Sequence, residues 1–339
     1  MKIMKAGLYI SSKNVAVDQL DKPMLQPGEA LVKVAYAGIC GTDMMIYGGK
    51  HPRAQAPLAM GHEFSGVIEE ISGQSDFSIG DRVVVEPTLS CGACEACSAG
   101  EYHVCKTLRL IGIDKHGGFA EYVAVPVHRL HRIPAGLSDT HAALAEPLAV
   151  AVHTVRRSSL KVGDTAVILG SGPIGLLIGL VAQQAGASEI IISDISTYRL
   201  AKARQLGFTA LNAKSVNVTQ QVAELTAGAG ADVVFEAAGN QITAKQMIET
   251  VRIQGQIVVV SVYKQPPTVD LAAMHFRELS LTTTRCYSRG DFEKALRLMQ
   301  SGMIDVSPMI SHELPLEWIA EGFELMENPD VSLKILFKP

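Results

Sequence analysis

The sequence predicts an α/β protein in which a β-rich region precedes a doubly wound parallel sheet. Short apolar runs separated by turn residues fill 1 to about 148, strands alternate with helices from about 160 to 286, and a glycine-rich turn joins the first of those strands to a helix. The first pattern is typical of a compact β barrel or sandwich and the second of a parallel sheet. A chain of 339 residues also favours two domains.

The β-rich region contains four clear strand-like runs. Each alternates apolar and polar residues between Gly or Pro, at 29–36, 64–71, 81–85 and 119–125. Near Ala142 the pattern becomes an Ala/Leu/Val helix that passes Pro147 and continues towards Thr154. We expect this helix to connect the first domain, 1–149, to the next.

The alternating region predicts the parallel sheet, with a domain at 150–287. Its strands are expected at 165–169, 189–193, 232–235, 256–262 and 279–284, and its helices at 173–185, 199–206, 220–226 and 242–251. The remaining segment, 288–339, predicts amphipathic helices at 292–301 and 316–326 and then a strand at 332–337.

Composition favours a soluble protein that acts on small molecules. A net charge of −4 with 19% charged residues gives no reason to expect nucleic acid or an anionic membrane as a partner. The uncharged segment 165–188 is long enough to span a bilayer, but its clustered glycines and proline favour a strand, a turn and a buried helix. No apolar signal region follows the first residues, so we expect a cytoplasmic location.

The turn Gly170-Ser171-Gly172-Pro173-Ile174-Gly175 predicts a dinucleotide site. It follows an apolar strand and opens a helix, where glycines allow a pyrophosphate to approach exposed N–H groups. Asp194 stands nineteen residues beyond Gly175 and can accept the ribose hydroxyls of NAD. Arg199 lies nearby and could meet the 2′-phosphate of NADP, which keeps that cofactor as an alternative.

Six cysteines are present, and four of them form one cluster: Cys91, Cys94, Cys97 and Cys105. Two-residue gaps let one loop present three sulfurs to a tetrahedral ion, and the fourth closes its coordination, which predicts a structural zinc. Disulfides and an iron–sulfur cluster are the alternatives. Disulfides need an oxidising compartment, and nothing else in the chain suggests electron transfer.

A second candidate metal site combines Cys40, His62 and Glu63, which stand in Gly38-Ile39-Cys40-Gly41-Thr42-Asp43 and Gly61-His62-Glu63-Phe64-Ser65-Gly66. Each residue alone would be unremarkable, as a core thiol, a surface imidazole or a solvated carboxylate. Together they form a three-ligand zinc set with an open fourth position, which is the pattern of a catalytic metal.

These two motifs, the four-cysteine loop, Glu146-Pro147-Leu148-Ala149 and the glycine turn together resemble the zinc-dependent medium-chain dehydrogenases, in the branch of the sorbitol, threonine and butanediol dehydrogenases. The resemblance covers essentially the whole chain. It implies a GroES-like catalytic domain, formed by 1–149 and the return of 288–339, around a Rossmann domain at 150–287, in a homotetramer or homodimer.

The activity implied is oxidation of a secondary alcohol to a ketone with NAD, on a polyol, vicinal diol or sugar acid. A threonine 3-dehydrogenase-like activity is the runner-up, and a non-catalytic NAD-binding protein of the same fold is a further alternative. Two zinc ions per chain are implied, one catalytic and one structural.

Site roles carry over by position. The resemblance implies that Cys40, His62 and Glu63 ligate the catalytic zinc, and that Glu146 faces it as an alternating ligand or through water. It further implies that Thr42 passes the substrate proton towards the cofactor ribose.

Four further positions complete the resemblance or depart from it. Asp43 matches the acid that orients the zinc-binding histidine. Arg285 resembles a substrate-hydroxyl contact, but Cys286 replaces the Tyr that follows it in polyol dehydrogenases and is expected to be a buried strand residue. The family usually has a proton-relay His where this chain has Met45. Three possibilities stay open: His51 replaces it, the proton leaves by water near Glu146, or turnover is slow below neutral pH.

Overall fold

The chain folds as two units in a computed structural model that describes residues 2–339. The first unit runs to Glu146 and resumes over Ser288–Pro339, and the second is Pro147–Tyr287. The sequence analysis drew the first boundary at 149–150. The unit boundary falls a few residues earlier, within a continuous helix, where no turn residue marks it.

The N-terminal part of the first unit is built mainly from short strands. Three short helices accompany them: α1 (Gly41–Tyr47), α2 (Glu95–Ser98) and α3 (Asp139–Ala142), followed by α4 (Ala145–Arg156) across the boundary. The strands are β1 (Ile3–Ser11), β2 (Asn14–Asp21), β3 (Glu29–Gly38), β4 (Leu58–Ala59), β5 (Glu63–Ile71), β6 (Arg82–Val85), β7 (Thr88–Leu89), β8 (Arg109–Leu110), β9 (Tyr122–Pro126) and β10 (Leu130–Arg132).

The second unit alternates strands and helices, as predicted. Its elements are β11 (Thr165–Leu169), α5 (Pro173–Gln184), β12 (Glu189–Asp194), α6 (Thr197–Gln205), β13 (Thr209–Asn212), α7 (Val218–Leu225), β14 (Ala231–Glu236), α8 (Gln241–Thr250), β15 (Val251–Val259), α9 (Leu271–Phe276) and β16 (Ser280–Thr283). All neighbouring strands are parallel, in the order β13-β12-β11-β14-β15-β16. This is the doubly wound Rossmann order, which confirms the predicted fold class.

The uncharged segment 165–188 forms β11, the glycine turn and α5, as expected. Across residues 2–339, none of the helices has the length and apolarity that crossing a membrane would require. The prediction for Cys286 was wrong: it lies half-buried in a loop beyond β16 with a φ of 50°. The strand ends at Thr283 because the following backbone leaves the extended conformation.

The C-terminal segment returns to the sheet of the first unit. It contains α10 (Arg289–Gln300), β17 (Ile310–Pro315), α11 (Ile319–Glu327) and β18 (Lys334–Lys338). β18 pairs antiparallel with β3, Leu336 opposite Gly38, and parallel with β17. The sheet order is β10-β6-β5-β3-β18-β17, with β9 also paired to β3. Thus the strand that ends beside the candidate zinc ligands is flanked by a strand from the opposite end of the sequence.

Three aromatic side chains pack against one another in the core at this junction. Phe119 meets Phe337 edge to face at 5.2 Å and Phe323 at 6.0 Å, and all three are fully buried. Burying a side chain of this size stabilises a fold by roughly 1.5–3 kcal/mol. The ends of β3, β5 and β18 are therefore held on a packed core rather than on mobile loops.

Candidate active site

Cys40 is held at the junction of β3 and α1. It is the residue that caps the start of the helix, and its N–H donates to Oδ2 of Asp43 at 2.8 Å. The other oxygen of Asp43 accepts from the N–H of Gly61 at 3.3 Å. One fully buried carboxylate therefore ties the turn that carries Cys40 to the turn that carries the histidine.

His62 and Glu63 complete the group. Glu63 is the first residue of β5, opposite Gly38 of β3, so strand pairing brings it to the level of Cys40. The ligand atoms of Cys40, His62 and Glu63 all lie within 4.8 Å of one another. The structure thus brings together the three residues that the sequence singled out.

This group fits a cation. Oε1 of Glu63 is buried and has no hydrogen-bond partner. Nδ1 of His62 lies 3.7 Å from Oδ1 of Asp43, which leaves Nε2 as the ring nitrogen for a metal. Burial alone would lower the pKa of His62, but the charges of Cys40 and Asp43 raise it well above its usual value. A half-buried cysteine, a buried histidine and a buried carboxylate are the donor types of a zinc site.

The sequence analysis missed Lys334. Its side chain is 2% exposed, and its Nζ donates to Oε2 of Glu63 at 2.6 Å and to the carbonyl of Ile39 at 2.9 Å. Burial opposes its charge, but Glu63 and Cys40 raise the pKa of Lys334 above its usual value. The only sequence signal was a lysine at the start of the apolar run Ile335–Phe337, which is a weak one.

Glu146 lies beside this group without joining it. It stands in the first turn of α4, is 7% exposed, and its charge contributes to the raised pKa of Lys334. The only catalytic-type group found among residues 2–339 with mutually close ligand atoms consists of Cys40, His62 and Glu63. Whether Glu146 acts as an alternating ligand or through water stays a prediction.

The proton-relay candidates lie on α1 and in the loop beyond it. Thr42 is half-buried in the first turn of α1, and Met45 follows it by three residues on the same helix face. Nδ1 of His51 accepts from the N–H groups of Arg53 at 3.3 Å and Ala54 at 3.2 Å. Burial, together with Arg53, lowers the pKa of His51.

The four-cysteine loop forms a second compact group. The Sγ–Sγ distances are 3.5 Å for Cys94–Cys97, 3.5 Å for Cys91–Cys105 and 3.9 Å for Cys91–Cys97. Four sulfurs about 2.3 Å from a tetrahedral ion lie about 3.8 Å apart, whereas a disulfide bond is about 2.05 Å long. All four cysteines are free. The geometry fits an ion with four thiolate ligands rather than disulfides.

The glycine turn has the form expected of a pyrophosphate cradle. Gly172 caps α5, Pro173 occupies its first turn and Ile174 follows. A Cβ on Gly175 would lie 1.9 Å from the carbonyl oxygen of Gly170, so this crossing of strand and helix requires glycine. Exposed N–H groups at the start of a helix suit a pyrophosphate.

Asp194 and Arg199 flank this turn. Oδ2 of Asp194 accepts from the N–H of Ser171 at 2.7 Å, and Oδ1 accepts from those of Ile195 and Ser196. The carboxylate is thereby fixed at the end of β12. Nη1 of Arg199 lies 3.7 Å from where a Cβ on Gly172 would be. Both residues are thus placed next to the cradle. Arg285 lies in the exposed loop after β16 of the same unit.

A buried ion network near the cysteine loop was also missed. Glu86 is fully buried, and its Oε1 accepts from Arg129 at 2.5 Å and from Thr88 at 2.8 Å. His131 lies 3.3 Å from the other oxygen and stacks on Phe292 at 4.5 Å. This network joins β6, β10 and α10. The residues are far apart in sequence, so no local pattern predicts it.

Known protein families match both parts of the chain. Residues 26–135 match the alcohol dehydrogenase GroES-like domain, and residues 173–301 match the zinc-binding dehydrogenase domain.

Three curated relatives extend over nearly the whole chain. The 2-dehydro-3-deoxy-L-galactonate 5-dehydrogenase of Pseudoalteromonas atlantica is 40% identical over 98% of both chains. The L-threonine 3-dehydrogenase of Bacillus velezensis is 38% identical over 93% of this chain and 92% of its own. The sorbitol dehydrogenase of Halalkalibacterium halodurans is 36% identical over 94% of each.

Solved structures agree with these relatives. The 2R,3R-butanediol dehydrogenase of Bacillus subtilis has a TM-score of 0.92 at 33% identity and covers 99% of both chains. A zinc-binding dehydrogenase of Sinorhizobium meliloti, solved with NADP, has a TM-score of 0.93 at 34% identity over 100% of both. With a GroES-like part, a doubly wound sheet, a Cys–His–Glu group and a four-cysteine loop in one polypeptide, the chain belongs to the zinc-dependent medium-chain dehydrogenase/reductase family.

Proposed function

We propose that the protein oxidises a secondary alcohol flanked by hydroxyl groups to a ketone, with NAD as hydride acceptor and zinc at Cys40, His62 and Glu63. The observation that carries the proposal is this group, of which His62 and Glu63 are buried and Cys40 half-buried. Its ligand atoms lie within 4.8 Å of one another and include an unpartnered carboxylate oxygen. Three protein ligands leave one tetrahedral position for substrate. A second zinc, on the four-cysteine loop, is structural because four thiolates leave no such position.

Zinc bound here supplies a Lewis acid that lowers the pKa of the substrate hydroxyl. The chain's own residues provide the rest. Asp43 holds the turn of Cys40 and stands behind the imidazole of His62, which fixes the ring. Thr42, one residue before Asp43 and half-buried, passes the proton of the substrate hydroxyl towards the cofactor ribose, giving up its own hydroxyl proton as it accepts the substrate's. Glu146 faces the group from α4 and supplies a negative charge without being a permanent ligand.

The proton then leaves by a route that does not use Met45, because a thioether cannot carry a proton at neutral pH. His51 is a poor replacement. Its Nδ1 already accepts two backbone N–H groups and its pKa is lowered, so its proton stays on Nε2 and the ring cannot take up another easily. Water beside Glu146 is the exit that these contacts favour.

The substrate class is proposed from the relatives. Their names include a sugar-acid, a polyol and a diol dehydrogenase, all of which act on a secondary alcohol beside other oxygen atoms. L-Threonine is the runner-up because a relative of that activity is 38% identical. A panel of polyols, vicinal diols, aldonates and threonine, assayed with NAD by the absorbance of NADH, separates these classes. No turnover with any of them, from protein that binds NADH, would favour a non-catalytic NAD-binding role.

NAD is proposed over NADP because of Asp194. Its carboxylate is fixed by three backbone N–H groups at the end of β12, where it would accept ribose hydroxyls and repel a 2′-phosphate. Arg199 is the one nearby group that argues for a phosphate. Comparing kcat/KM with the two cofactors tests this, and a preference for NADP would assign Arg199 that role.

Metal analysis tests the zinc sites. We expect about two zinc ions per chain. Cys40→Ser should lose one of them and all turnover, while NADH binding is kept. Cys105→Ser loses the other, with a lower melting temperature as its main effect. Full activity in protein verified to be free of zinc would contradict the proposal.

Two further features are proposed from the family. Free cysteines suit a reducing compartment, which supports a cytoplasmic location. The family resemblance supports a homotetramer or homodimer, and light scattering of the purified protein measures which one forms.

A further inference from the structure

The buried ammonium of Lys334 is the one charged group in the catalytic site that the chemistry above does not use. It reaches the site on β18, which is paired to β3 next to Gly38. Its Nζ donates two hydrogen bonds, to Oε2 of Glu63 at 2.6 Å and to the carbonyl of Ile39 at 2.9 Å. At 2% exposure it cannot be a general surface charge.

These contacts place the two carboxylate oxygens of Glu63 in different environments. Oε2 is engaged by Lys334, whereas Oε1 is buried and has no hydrogen-bond partner. Oε1 is therefore the oxygen available to a metal on Cys40 and His62. The backbone reinforces this difference, because a Cβ on Gly38 would lie 2.8 Å from Oε2 and 3.3 Å from Cδ of Lys334. Only glycine leaves room for the carboxylate and the lysine side by side.

We infer that Lys334 is a positioning residue that keeps Glu63 a one-oxygen, weakly held zinc ligand and so keeps the metal's coordination open to exchange with substrate. The inference rests on the zinc site proposed above. The hydrogen bond from Lys334 makes the Glu63 carboxylate a weaker metal ligand. Lys334 also places a positive charge close to a divalent ion, which lowers the affinity for the metal. Without it, both oxygens of Glu63 become available and the metal is held more tightly.

The test compares Lys334→Met with Lys334→Arg. Cobalt replaces zinc at the Cys40 site while zinc stays on the four cysteines, so the visible absorption of the thiolate-bound cobalt reports the Cys40 site alone. Release of this cobalt to EDTA is followed in the absence of cofactor. We expect Lys334→Met to release this metal about tenfold more slowly, because loss of a nearby unit charge changes ion binding by at least that factor. The kcat should fall by a similar factor while KM changes little, and Lys334→Arg should restore both.

Lys338→Met is the matched control, since it removes an exposed lysine from the same strand and should leave release and turnover unchanged. If Lys334→Met does not fold, Lys334→Gln keeps a donor for Oε2 but lacks the charge, and a smaller slowing of release than in Lys334→Met is expected. Release from the neutral variants at the wild-type rate or faster would overturn the inference. Wild-type protein that holds metal only on the four cysteines would instead overturn the proposed function.

Discussion

Two single glycine-to-alanine variants of the same turn should distinguish a steric effect on the folded turn from a direct effect on cofactor binding. In Gly175→Ala the new Cβ would lie 1.9 Å from the carbonyl oxygen of Gly170, and ordinary contact begins at 3.4 Å, so the turn must open by about 1.5 Å. Overpacking of this kind costs about 1–3 kcal/mol. For a domain of this size we expect a melting temperature lower by roughly 3–10 °C. NADH binding should weaken at least tenfold, or about 1.4 kcal/mol, because the N–H groups lose their alignment.

Gly172→Ala is the matched comparison. Gly172 has a φ of −66°, which alanine adopts freely, and its nearest non-local neighbour would be Nη1 of Arg199 at 3.7 Å. The cofactor-free protein should therefore melt within about 1 °C of wild type, as surface substitutions usually do. The added methyl nevertheless occupies space that close approach of a pyrophosphate requires, so NADH binding should fall about tenfold.

Differential scanning calorimetry of the cofactor-free variants and fluorescence titration with NADH measure the two effects separately. Wild-type affinity in Gly172→Ala would refute the assignment of this turn to the pyrophosphate. An unchanged melting temperature in Gly175→Ala would refute the steric reasoning.

Substitutions at four further positions test the relay, the buried Glu86–Arg129 pair and the partly exposed Asp232–Arg252 pair. Thr42→Ala should lower kcat about a hundredfold, because proton transfer is lost. His51→Gln should lower kcat less than about threefold. Equal large losses of kcat in steady-state assays would assign the proton exit to His51. Arg129→Met leaves Glu86 buried with one charge partner fewer, so the free energy of unfolding measured with urea should fall by about 3–5 kcal/mol. Arg129→Lys should lower it less. A fall below about 1 kcal/mol in Arg129→Met would contradict this reasoning. Asp232 has a lowered pKa: burial opposes the shift, but the Thr165 N–H and Arg252 outweigh it. Its stabilisation is therefore present above the unfolded pKa of about 3.9 and is lost as pH falls through the folded value, so Asp232→Asn should destabilise at pH 7 but not near pH 2, as paired melts can check.

The local parts of this molecule follow directly from its sequence. β11 coincides with the predicted strand, and the turn and helix after it begin where glycine and proline indicate. The spacing of Cys91, Cys94 and Cys97 predicts their approach because three residues of chain can fold around one ion. The candidate zinc ligands were found in the same way, by short motifs whose neighbours set the backbone.

The parts that were missed depend on distant partners. β13 has only four residues and gains its stability from β12 beside it, and β17 lacks regular alternation yet pairs with β18. Lys334 and Glu63 are 271 residues apart, and no periodicity connects them. Cys286 was expected to be a buried strand residue, but β16 ends at Thr283 and Cys286 lies in the following loop with a positive φ.

The return of β18 to β3 also sets an order of events during synthesis. Cys40, His62 and Glu63 leave the ribosome together, but Lys334 follows Glu63 by 271 residues. At roughly 5–20 residues per second, the interval lasts tens of seconds. Throughout that time Glu63 has both oxygens available, and β3 lacks the neighbour that will cover one edge. A nascent chain therefore presents Cys40, His62 and Glu63 well before Lys334 exists to engage one oxygen of Glu63, and the proposed zinc site gains its final charge only when β18 pairs with β3.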